Sequence, residues 1–199
     1  MKKIGMLFAL LAGALLATQA QAQAPGQWYM GIGVNTVWTD GASPYDDTRD
    51  EDTAAGAKIY GGYMWSNWGM EVSGHHLGRY DVEFGGAKIA ESEAMAITTA
   101  IVYTADIGAG FTFHGKLGIA FTQFEIDCLQ LCGSGNPPLA DTKKTGLSGT
   151  WALGIGAKFT QNILARMEYE HIGAFHSAVS DFEYKESYKL LSLSLQFNF

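Results

Sequence analysis

Eight stretches of this chain alternate with a period of two, an apolar residue on one parity and a small or polar one on the other. They lie at 28–38, 54–65, 68–76, 95–103, 111–121, 150–159, 163–171 and 190–199. Side chains of a strand point alternately to its two faces, so each stretch reads as a strand with one apolar face. The last is the cleanest. Leu191, Leu193, Leu195, Phe197 and Phe199 share one parity, Ser192, Ser194, Gln196 and Asn198 the other, and only Leu190 breaks the polar set. Chain ends normally fray and carry polar residues. A strand that runs to a terminal Phe needs an apolar medium to receive it.

Strands of this length suit a bilayer, which a tilted strand crosses in about 9–11 residues. The connections alternate as well. Ser66-Asn67, residues 105–108 and residues 161–162 are short, whereas 39–53, 78–94, 124–145 and 174–187 are long and polar. Aromatics stand near segment ends at Trp28, Trp65, Trp68, Tyr103, Phe159 and Phe199, where an interfacial girdle belongs. A soluble sandwich would alternate too, but its outer face would have to be charged. Here the second face carries Gly, Ser and Thr, only 17% of the chain is charged, and much of that charge lies in the long connections. The expected fold is therefore all-β: an eight-stranded antiparallel up-and-down transmembrane β-barrel. An open edge in lipid leaves backbone groups unsatisfied, so strand eight must close on strand one.

The start of the chain fits export. Lys2 and Lys3 precede an apolar run from Ile4 to Leu16 and the small-residue stretch ATQAQAQA. That is a secretory signal peptide over 1–22, cut after Ala20-Gln21-Ala22, with the barrel domain over 23–199. Losing the two lysines moves the formal charge from -7 to -9, which argues against nucleic acid as a partner. Cys128 and Cys132 are spaced C-x3-C in an oxidising compartment, which reads as a disulfide rather than a metal site. It would pin one loop.

Three stretches, WYMGIGV, GAKIYGGYMWSNWGMEVSGHHLGR and ILARMEYEHIG, resemble the OmpA-type transmembrane domain. The likeness covers roughly 25–199, and stand-alone relatives of this size include barrels of the OmpX/Ail adhesin and neisserial opacity types. The resemblance implies a polar lumen filled by side chains, with Glu71, Lys116, Arg166 and Glu168 at inward positions of a charged network. Two departures stand out: Ala100 and Val102 occupy the fourth strand where a lysine belongs, and Gly156 the sixth where a carboxylate belongs. The resemblance also implies that Leu195, Phe197 and Phe199 form an assembly signal read by the barrel-assembly machinery.

Parity alone places Lys58, Lys116, Lys158 and Arg166 inward with Glu71, Glu168 and Glu170, beside His75 and His114. Unpaired buried charge is costly, so a near-balanced set reads as a salt-bridge plug before an ion path. His75, His76, His171 and His176, with Ser73, Ser177 and Asp181, invite comparison with lipid A-modifying barrel enzymes. No spacing among them makes a nucleophile motif. The expected role is accordingly non-enzymatic, with no metal and no cofactor: envelope integrity and adhesion-like recognition through the long loops. The alternatives are a rim-active lipid A-modifying enzyme and a small low-conductance channel. The expected setting is the outer membrane of a Gram-negative bacterium, termini periplasmic. The partners are outer-membrane lipid including lipopolysaccharide, the assembly machinery and a host or cell-surface ligand; the expected oligomeric state is a monomer.

Overall fold

The computed structural model describes residues 26–41, 53–84, 87–128, 142–177 and 184–199. Eight strands follow one another: β1 Gln27–Gly41, β2 Thr53–Met64, β3 Trp68–Phe84, β4 Ala87–Gly108, β5 Phe111–Cys128, β6 Thr142–Lys158, β7 Ile163–Ser177 and β8 Tyr184–Asn198. Each pairs antiparallel with the next, and β8 pairs with β1, which closes the barrel. The signal-peptide residues 1–22 lie outside the described residues.

The closure has a measurable stagger. Following Cα partners from Ile155 through Met167, Leu193, Val34, Ala57, His76, Met95 and Gln123 leads to Thr145. The circuit returns to β6 ten residues from its start (155 − 145), so a row of partners climbs a little over one residue per strand. This stagger tilts the strands and fixes the lumen as just wide enough for side chains.

The alternation sorts faces as expected. Ile32, Val34, Leu117, Ile119, Leu191, Leu193 and Leu195 are exposed on the outside, whereas Ser192, Ser194, Thr98 and Lys58 are buried inside. The terminus is held on both sides: the Phe199 N–H donates to the Trp28 carbonyl at 2.9 Å, and the Asn198 N–H to the Asn162 carbonyl at 2.9 Å.

Two expectations need correction. The strands run far into the stretches read as long loops. The β3–β4 ladder continues to Phe84 and Ala87, and β5–β6 to Ile126 and Thr142. Beyond an apolar medium the outward face of a strand need no longer be apolar, so the hydropathy period fades while the backbone pairing continues; Arg79 opposite Glu93 and Glu125 opposite Lys143 supply cross-strand charge pairs there. The tight turn read at 105–108 sits later, at Ala109-Gly110. Asp106 looks like a turn residue but its carboxylate accepts the Gly108 N–H at 2.9 Å, and positive φ falls on Gly108, Ala109 and Gly110.

Large inward rings lie across glycines of the neighbouring strand. Tyr60 lies over Gly31, Tyr29 over Gly62, and His114 over Gly154. Gly118 is more constrained, because a Cβ there would meet Ala100 Cα at 2.6 Å and the Thr99 carbonyl more closely still. We expect Gly118→Val to give no heat-modifiable folded band on gels and Gly149→Ala, where a Cβ meets nothing within 4 Å, to fold normally. Equal folded fractions would contradict this packing.

Candidate functional site

The lumen between the two ends of the barrel is filled by six charges. Lys58 from β2, Lys116 from β5 and Arg166 from β7 face Glu71 from β3 and Glu168 and Glu170 from β7. No side chain among the six is more than 4% exposed. Glu168 accepts from Lys58 and from Lys116 (2.7 Å) on one oxygen, and bonds Arg166 (2.8 Å) and His114 Nε2 (3.0 Å) on the other. Glu71 accepts from Lys116 (2.6 Å) and Ser73 (3.1 Å) on Oε1, and from Arg166 (3.0 Å) and the Tyr29 hydroxyl (3.0 Å) on Oε2. A carboxylate has about four lone-pair sites, so both are saturated. Glu170 takes Lys58 at 3.2 Å and the Thr150 hydroxyl at 3.3 Å, with His75 Nε2 3.8 Å away.

Tyr60 organises the cations. Its ring centre lies 4.8 Å from Arg166 Cζ, 5.4 Å from Lys58 Nζ and 5.9 Å from Lys116 Nζ, and its hydroxyl pairs with Ser194 at 3.2 Å. The negative face of the ring adds to the carboxylates in holding three like charges together. The histidines apart, three positive groups face three negative ones. Parity finds which residues face inward but not this pairing; Tyr29 and Tyr60 were absent from the expected set although both share the inward parity.

Lys158 does not belong to the network. It stands at the short-turn end, 45% exposed, and donates to Asp106 Oδ2 at 2.6 Å. Its parity is inward, but it lies below the charges where the barrel ends, its N–H donating to the Gly110 carbonyl of the short turn. The Lys158 ammonium, helped by the Gly108 N–H, holds the exposed Asp106 carboxyl below the usual carboxylate range. Such a pair is screened by water. We expect Lys158→Ala to leave the urea unfolding midpoint within experimental error, whereas Lys116→Ala lowers it clearly.

Toward the long-loop end the lumen turns apolar. Val37, Leu77, Ala94, Ala96, Ala120, Phe124, Ile172, Tyr188 and Leu190 form one buried cluster above the charges. The sequence carried one sign of it, since Leu190 interrupts the polar inward set. Among the described side chains, the histidines read as rim candidates do not converge. His75 faces inward beside Thr98 (3.5 Å), His76 pairs with Glu93 (3.1 Å), and His171 stacks beside Trp151 with ring centres 5.8 Å apart. His176 takes the register position opposite Lys185. Ser73 is engaged by Glu71. Ser177 ends β7, and Asp181 lies outside the described residues. Cys128 closes β5, but Cys132 lies outside the described residues, and the disulfide expected there with it.

The comparisons agree with this architecture. Residues 8–199 match the outer membrane protein beta-barrel domain. The chain belongs to that family. Family membership places it in the outer membrane of a Gram-negative bacterium. Solved barrels of the same fold include Neisserial surface protein A (13% identity, 86% of this chain and 97% of that one, TM-score 0.64). Two others are OprG of Pseudomonas aeruginosa (17%, 89% and 97%, 0.61) and Ail, the attachment invasion locus protein of Yersinia pestis, in complex with the heparin analogue sucrose octasulfate (16%, 87% and 99%, 0.56). No curated protein matches the chain in sequence.

Proposed function

We propose that this outer-membrane barrel is a closed, non-enzymatic envelope protein. Its walls reinforce the membrane, and its long-loop end faces outward for adhesion-like recognition. Both termini and the Asp106–Lys158 pair then lie on the periplasmic side. One observation carries the reading: the lumen network is charge-balanced and its two central carboxylates are saturated. Moving an ion through it would break several buried pairs at once, each worth about 3–5 kcal/mol when one partner is lost. The apolar cluster above adds a second barrier. Recognition on a rigid scaffold normally resides in its loops. Among these, PYDDTRDEDT at 44–53 is strongly acidic. A polyanion of the kind held by the attachment invasion locus protein suits this chain poorly; a cationic or neutral surface ligand suits it better. Surrounding lipid including lipopolysaccharide, and the assembly machinery that inserts barrels, are its proposed partners, and it works as a monomer.

Planar-bilayer recording tests closure. We expect no steady single-channel conductance from the native protein; reproducible conductance changed by Glu71→Ala would replace the plug with a pore. Lipid A mass spectrometry on cells with and without the protein tests the rest. An acyl pattern that changes with the protein and reverts with His75→Ala would make it an enzyme.

A further inference from the structure

The outward apolar face does not end at one height. Among the described side chains, its last exposed apolar residues toward the long-loop end on β4, β5 and β6 are Met95, Phe121 and Leu147. Among the described side chains of β7 the last exposed apolar one is Tyr169, with His171 next outward; on β8 it is Leu191, with Lys189 next. His171 and Lys189 are Cα partners, and Trp151 is the Cα partner of His171 on the other side. Trp151 packs on both Tyr169 (5.7 Å) and His171 (5.8 Å).

The stagger converts these positions into heights. A row climbs a little over one residue between β6 and β7, and Leu147 lies four residues beyond Trp151 (151 − 147). Tyr169 therefore stands nearly five residues below Leu147 on the adjoining strand. A tilted strand advances about 2.5 Å along the barrel axis per residue, so the step is about 12 Å. Rigid tilting of a cylinder changes opposite walls and cannot make such a step between neighbouring strands. The surrounding leaflet has to follow it.

We infer that the headgroup layer dips locally along β7 and β8. There phosphate-bearing lipid headgroups of the outward leaflet meet Lys189 and His171, while Trp151 and Tyr169 mark the lowered interface. Indole and phenol rings favour the boundary between hydrocarbon and headgroups, and a lysine there attracts anionic phosphate. On β4–β6 the acyl chains reach the level of Phe121 and Leu147. The inference rests on the outward orientation of the long-loop end only for naming the leaflet; the step itself is independent of it.

Two pairs of positions share a height by the same count: His171 with Ile97, and Lys189 with Phe121. Single nitroxide labels at these four positions, in a Cys128→Ser, Cys132→Ser background refolded into phosphatidylcholine–phosphatidylglycerol vesicles, report depth. We expect the labels at 171 and 189 to be relaxed several-fold more by a water-soluble agent than their partners at 97 and 121, which oxygen relaxes instead. Equal depth within either pair would overturn the inference. Heat-modifiable migration confirms that each labelled barrel is folded, and either pair alone decides the outcome.

Discussion

Glu168→Ala should be the most destabilising single change within the lumen's charge network, lowering stability by about 3–5 kcal/mol. The carboxylate serves Lys58, Lys116, Arg166 and His114 together. Its loss leaves a net positive charge among groups that are almost wholly excluded from water. Lys116 and Arg166 fall back on Glu71, and Lys58 on Glu170. With a urea slope of about 1–3 kcal/mol/M, the unfolding midpoint in micelles should fall by at least about 1 M. The control is charge balance. Lys58→Met with Glu168→Gln leaves Lys116 and Arg166 against Glu71 and Glu170, two of each sign. That double variant should recover part of the loss seen in Glu168→Gln alone. If it is no more stable than the single variant, balance is not what holds the network, and the local hydrogen bonds are.

The expectation for Glu168 was open to sequence reading only in part. Parity is legible because lipid forces apolar side chains outward on every second residue, so Lys58, Glu71, Lys116, Arg166, Glu168 and Glu170 all sort inward. Height along the axis is not legible in one strand. It depends on the stagger between strands, which only closure fixes. Lys158 shows the consequence: right face, wrong level, and an exposed partner in Asp106 instead of the buried carboxylates. The apolar cluster around Leu77, Ile172 and Tyr188 was hidden for a related reason. An apolar residue gives the same signal whether it meets lipid or plugs a lumen. The extra length of β3 to β6 escaped because charged pairs replace alternation there. Tyr60 was missed because a tyrosine among glycines looks like wall, and only its place over Gly31 turns it toward the three cations.

The second large effect is expected at the chain end. Phe199→Asp should reduce the folded barrel in cells severalfold, whereas Asn198→Asp should not. The backbone of both residues is anchored, Phe199 to Trp28 and Asn198 to Asn162, and neither substitution removes an N–H. The side chains differ. Phe199 is exposed on the outward face that Leu195 and Phe197 share, while the Asn198 side-chain oxygen accepts from Gln196 at 2.7 Å. At the membrane boundary a charge costs only about 0–1 kcal/mol directly. That is too little to empty a folded state worth about 5–15 kcal/mol. A severalfold loss must then arise during assembly, through the terminal aromatic as a recognition element or through the closure of β8 on β1. Refolding into detergent separates these. If Phe199→Asp folds normally in micelles but not in cells, recognition by the assembly machinery is the step that fails; if it fails in both, closure is. Equal folded fractions for the two variants in cells would refute the face assignment of this strand's last residues and the assembly role built on it.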